Sequence, residues 1–223
     1  MDALDDLSWW TITYWGTSGL LLPASALLLW GWWFGAARSA VAHFVPALLA
    51  CSALTLASKI AFLGWGWGIR AIDFTGFSGH SMLAAAVLPL LTHSLPWPAA
   101  LYRWPRGSRY LPALLGGMLS MLVAFSRVEL RAHTPSEALA GWLLGLLVSG
   151  FTLRTLYRLP PAPLRHPALL LAPLVLLGSL HSPAATYVPT RKLEVRIALL
   201  LSGRDKPHTR AEWKAQSKPS PRL

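Results

Sequence analysis

The chain has 223 residues, 54% of them hydrophobic and only 13% charged, with a net charge of +11 and a mean hydropathy of +0.45. A water-soluble domain carries roughly 25% charged residues, so an ordinary soluble globule is excluded and a polytopic, all-α integral membrane protein is expected. The positive balance does not call for a nucleic acid as partner. Nine of the twenty Lys and Arg residues lie beyond residue 190, and Arg103, Arg106, Arg109, Arg154, Arg158 and Arg165 sit in short connections between apolar runs, the distribution that anionic headgroups and insertion topology select.

In chain order, the N-terminal MDALDD is acidic where a secretory leader would be basic, so no cleaved signal is expected. A membrane helix needs about 20 apolar residues, and six stretches qualify: 9–34, 40–64, 80–101, 111–126, 134–153 and 167–181. They must be helical, because lipid offers no partner to backbone N–H and C=O groups. Many of the twelve Trp residues fall near the ends of these runs, where amphipathic rings sit at the membrane–water interface. The expected bundle of about six helices occupies residues 1–181, and a basic C-terminal tail occupies 182–223. Cys51 is the single cysteine, which excludes an internal disulfide.

The loops sort by charge. Arg38, the Arg103–Arg109 group and the Arg154–Arg165 group follow the first, third and fifth spans, so by parity they share a side, and the positive-inside tendency makes that side cytoplasmic. The loops after spans two and four then face out, and the same parity puts the tail outside with them. Within the tail, YVPTRKLEVRIALLLSG presents an apolar stripe (Leu193, Ile197, Leu200, Leu201) and a basic face suited to a membrane surface. The polar, Pro-containing RDKPHTRAEWKAQSKPSPRL beyond it is expected to be disordered.

Both outward loops hold residues that apolar packing does not explain. The first, Ser58 to Met82, contains Lys59, Arg70 and the run Phe77-Ser78-Gly79-His80; the second, SRVELRAHTPSE, spans Ser126 to Glu137. Lys59, Arg70 and Arg127 supply fixed positive charge. Phe77-Ser78-Gly79-His80 precedes an apolar helix, and a helix N-terminus with a glycine beside it is a ready anion site. His80 and His133 are two imidazoles from different loops, fitted to a two-step transfer with one as nucleophile and the other as proton donor. Glu137 follows His133 by four residues, a spacing that lets its carboxylate hold one ring nitrogen. Thr134-Pro135-Ser136-Glu137 also reads as a capping box with Pro at the first helical position. Glu129 and Arg131 read as a solvated loop pair, and His43 and His93 as histidines satisfied by helix neighbours.

Ser126-Arg127, then His133, then Glu137 resembles the third signature of the type 2 phosphatidic acid phosphatase superfamily, SRxxxxxHxxxD, and Phe77-Ser78-Gly79-His80 resembles its second, PSGH. The resemblance covers roughly residues 40–155. It implies a membrane lipid phosphatase in which His133 attacks phosphorus to form a phosphohistidine and His80 protonates the leaving oxygen. Ser126, Arg127, Ser78 and Gly79 would hold the phosphate oxygens, with no metal and no cofactor. Three positions depart from the family pattern: Glu137 stands for Asp, Phe77 for Pro, and the first signature, KxxxxxxRP, is matched at Lys59 but has Gly66 where its Arg belongs. Lys59 is then expected to bind phosphate, and Arg70 to take the missing role through the GWGWG turn.

The resulting expectation is a metal-independent phosphatase of the bacterial inner membrane, acting at the extracytoplasmic face. Its substrate would be a lipid phosphate or pyrophosphate of the phosphatidate, phosphatidylglycerol phosphate or polyprenyl pyrophosphate type. A lipid phosphotransferase using the same histidine is the alternative within this chemistry. A non-enzymatic transporter or scaffold for anionic lipid is the alternative outside it, but transport sites place charges inside the spans, and here they cluster at one depth.

Overall fold

The computed structural model describes residues 3–35, 37–95, 97, 108–159 and 190–215. The sixth candidate span, 167–181, lies outside the described residues. Within them the chain forms eight α-helices. These are α1 (Ala3–Tyr14), α2 (Ser18–Phe34), α3 (Arg38–Trp65), α4 (Gly79–Ser94), α5 (Leu111–Glu129), α6 (Pro135–Leu156), α7 (Thr190–Ser202) and α8 (Arg210–Ala215). Of these, α3, the α5 segment from Ser108 and α6 are long and apolar enough to cross a membrane.

The first apolar run, 9–34, is two helices rather than one. The chain turns at Trp15-Gly16-Thr17, where the Thr17 hydroxyl donates to the Tyr14 carbonyl at 2.8 Å. A Cβ on Gly16 would lie 2.5 Å from Val123 Cγ1 and 3.2 Å from His80 Cβ, so the break lets bare backbone settle against α4 and α5.

Helix α4 is the axis of the bundle: every residue from Ser81 to Ser94 is buried. Around it the usual arrangement of a soluble protein is inverted. On α5 the large residues Leu111, Leu114, Met118, Met121, Leu122 and Phe125 are exposed, whereas Ala113, Gly116, Ser120, Val123 and Ala124 face inward. Helix α6 repeats the pattern with Leu139, Leu143, Leu147 and Phe151 outside and Gly141, Gly145 and Ser149 inside. Lipid tails are as apolar as leucine, so membrane helices gain little by hiding large side chains and associate through small residues that let backbones approach.

Helix ends are set by local chemistry. Ser78 caps α4, its Oγ accepting from the Ser81 N–H. Thr134 caps α6 in a complete capping box with Glu137. Gly66 ends α3 in a left-handed conformation, φ 71°, which glycine adopts without steric cost.

The tail departs from the expectation of disorder. Helix α7 lies against α3, with Ala198 buried and its carbonyl against Gly64. The His208 N–H donates to the Leu63 carbonyl at 2.8 Å, and Trp213 on α8 is buried against Phe62. An indole and a chain of backbone contacts offset the ordering entropy that polarity alone would leave uncompensated. The predicted stripe on α7 is nevertheless outward, with Leu193, Leu200 and Leu201 exposed.

Candidate functional site

At the end of the bundle where α3 finishes and α4 and α6 begin, two loops meet. The 66–78 connection is held down by a bridge between Ile69 and Phe74 and by Phe77, whose N–H donates to Ser58 Oγ on α3 at 3.1 Å. It is tied to the other loop by the Ser78 N–H, which donates to the Glu137 carbonyl at 3.1 Å, and by Thr134 Oγ1, which donates to the Asp73 carbonyl at 3.0 Å. Gly141 permits this junction, since a Cβ there would stand 2.5 Å from the Ser78 carbonyl.

Glu137 is the hub and is only 1% exposed. Its Oε2 is 2.9 Å from His133 Nδ1 and accepts the Thr134 N–H at 3.2 Å. Its Oε1 accepts from the Thr75 N–H at 2.8 Å, the Thr75 hydroxyl at 2.5 Å and Arg210 Nη2 at 2.5 Å. The capping and ring-orienting readings of Glu137 therefore coexist: one carboxylate oxygen does both.

His133 is positioned from its backbone too, its N–H donating to the Arg127 carbonyl at 3.1 Å. Burial chiefly holds its pKa below the ordinary imidazole value; the Glu137 carboxylate works against that and Arg127 and Lys59 add to it. His80, in the first turn of α4, lies within electrostatic reach of Arg127, His133 and Lys59. Arg127 reaches α1, donating to Thr13 Oγ1 at 2.8 Å, while its buried Nε has no acceptor among the described residues.

The other residues singled out from sequence are placed as follows. Lys59 Nζ pairs with Glu194 on α7 at 2.8 Å, and a Cβ on Gly79 would be 3.9 Å from that ammonium. The N–H groups of Gly79 and His80 open α4 and have no intrahelical acceptor, whereas that of Ser78 is taken by Glu137. Ser126 is buried, with its hydroxyl turned back to the Val123 carbonyl at 2.7 Å. Arg70 is not drawn into the Glu137 network: it is exposed, its guanidinium 5.3 Å from the Trp213 ring centroid. With Asp73, Trp213 and Lys214 it lines a separate cavity of about 240 Å³.

Thr75, Arg210, Thr13 and Glu194 join the site without having been singled out. Thr75 had the signal of lying three residues before Ser78; the others are far away in the chain and carry no local motif.

A carboxylate-held imidazole, a second imidazole, two cations and a helix N-terminus thus lie together at one end of an apolar bundle, a grouping suited to an anionic group. The chain belongs to the PAP2 superfamily, whose sequence pattern matches residues 69–160. Members of that superfamily are generally phosphatases, which supports phosphoric ester hydrolysis as the general activity. The chain is also 34% identical over 230 residues to an uncharacterized 22.5 kDa protein in the cps region of Klebsiella pneumoniae, covering 95% of this chain and all of the relative. No solved structure matches it.

Proposed function

We propose that the protein is an integral membrane phosphatase that removes phosphate from a lipid phosphate or lipid pyrophosphate through a phosphohistidine on His133. The observation that carries this reading is the His133 Nδ1–Glu137 Oε2 contact of 2.9 Å, made by a carboxylate whose other oxygen is fully engaged. A neutral ring donating from Nδ1 leaves the Nε2 lone pair free to attack.

In the first step a bond forms between Nε2 and phosphorus, the phosphorus–oxygen bond to the lipid breaks, and His80 gives a proton to the leaving oxygen. In the second, water adds to phosphorus, its proton passes to His80, the N–P bond breaks and phosphate leaves. Arg127, Lys59 and the N–H groups of Gly79 and His80 stabilise the charge on the non-bridging oxygens. Lys59 exchanges Glu194 for phosphate when substrate enters, a swap of one oxyanion for another. A site at the end of a bundle with apolar outer faces lets the lipid tail stay in the membrane while its phosphate reaches His133.

Phosphate release by detergent-purified protein, measured with EDTA on phosphatidate, phosphatidylglycerol phosphate and a polyprenyl pyrophosphate, tests this. Release with EDTA is expected, and His133→Ala should lower it on the order of 10³-fold or more and abolish acid-labile phosphate on the protein. Full activity in His133→Ala would remove the nucleophile assignment, and strict dependence on a divalent metal would remove the metal-free mechanism. Appearance of the phosphate on an added lipid alcohol instead of in solution would make the enzyme a phosphotransferase.

A further inference from the structure

The phosphatase reading uses residues between 59 and 137, yet the carboxylate that orients His133 is also gripped from the far end of the chain. Arg210 Nη2 lies 2.5 Å from Glu137 Oε1 and 2.8 Å from Thr75 Oγ1. A carboxylate 1% exposed is costly to keep charged without partners. Its other partners are a backbone N–H, a hydroxyl, the Thr134 N–H and a histidine that is neutral when it attacks. Arg210 is therefore the permanent cation hydrogen-bonded to Glu137 among the described residues.

The route by which Arg210 arrives is built into the fold. The segment leaves α7, passes over the C-terminus of α3 and is fixed by the His208 N–H to the Leu63 carbonyl. The His208 ring fills the space over Gly66, 3.3 Å from where a Cβ would stand, and the positive φ of Gly66 disfavours any side chain there. Two residues later Arg210 opens α8, anchored by buried Trp213 and by Lys214 on Asp73 at 2.6 Å.

We propose that Arg210 is a positioning residue for the His133 reaction: by holding Glu137 Oε1 together with Thr75, it keeps Oε2 aimed at Nδ1, so that the site is complete only when the C-terminal segment is docked. This rests on the phosphatase reading. Arg210 acts on the nucleophile through Glu137, so its removal loosens the ring's orientation rather than phosphate binding.

The test is steady-state kinetics of full-length wild type, Arg210→Ala and Arg210→Lys on the lipid phosphate that wild type hydrolyses best, with and without millimolar guanidinium chloride. Arg210→Ala should lose roughly 10- to 100-fold in kcat, the range for a misplaced reacting group, with KM within about twofold. Arg210→Lys should fall between it and wild type, and guanidinium should restore part of the Arg210→Ala rate but none in His133→Ala. An unchanged kcat overturns the inference, as does a loss expressed in KM, which would make Arg210 a substrate ligand. A loss recovered neither by lysine nor by guanidinium also overturns it, since that is what simple undocking of the tail would give. If wild type releases no phosphate from any lipid phosphate, the functional reading itself fails; an active wild type with an indifferent Arg210 sinks this inference alone.

Discussion

The pairing of His133 with Glu137 joins two opposing influences on one imidazole. Burial, Arg127 and Lys59 disfavour its protonated form and Glu137 favours it, with His80 the remaining titratable group in reach. Because the native pKa is depressed, His133 contributes stability that is present above its ordinary value and is lost as pH falls through and below it. Replacing Glu137 by Gln removes the favouring charge, so the ring should protonate only at still lower pH. Glu137→Gln is therefore expected to lower kcat by about 10- to 100-fold through lost orientation, while the acid limb of kcat/KM moves to lower pH. An acid limb displaced upward would contradict this arrangement. The i,i+4 spacing of His133 and Glu137 was legible in the chain because both residues sit at one helix start. The Glu for Asp difference from the family signature also acquires a reason: Glu at the third helical position reaches back to the Thr134 N–H as a capping box requires.

At the scale of helices, the bundle depends on backbone approach more than on interlocking large side chains. A methyl on Gly145 would run into the Met82 carbonyl and come 2.7 Å from Ala85 Cβ, neither the end of a flexible chain. Gly145→Ala should thus cost about 1–3 kcal/mol through overpacking, whereas Gly117→Ala, with nothing within 4 Å of the added methyl, should be close to neutral. Thermal unfolding in detergent separates the two, and equal midpoints would show that α4 and α6 are not in this close register. Helix type and rough position followed from apolar run length. The break at Gly16 did not, since Trp15-Gly16-Thr17 is apolar enough to read as continuous span; it is the close fit against Val123 and His80 that ends the helix there.

For the whole molecule, the docking of 190–215 onto the end of α3 puts the tail on the same side as His80 and His133. Two of the tail's cations, Arg210 and Lys214, pair there with Glu137 and Asp73. In a Cys51→Ala background, Ala132→Cys and Lys206→Cys should react together with a membrane-impermeant maleimide in intact cells, and Arg158→Cys only after permeabilisation. Lys206→Cys behaving like Arg158→Cys would place the tail on the wrong side for Arg210 to reach Glu137.

Taken alone, the sequence determined the membrane class, the helical fold and the short-range signatures, because run length, charge placement and the spacings within 126–137 and 77–80 are local properties. The roles of Lys59 and Arg70 depended on distance in space. Lys59 sits near Gly79 but is paired with Glu194, and Arg70 rests on Trp213 outside the Glu137 network. The tertiary structure alone brought Thr13, Thr75 and Arg210 to the site. Their partners are separated from them by 62 to 135 positions, and no periodicity or motif encodes a contact at that range; only the packing of α3, the 66–78 loop and the tail creates it.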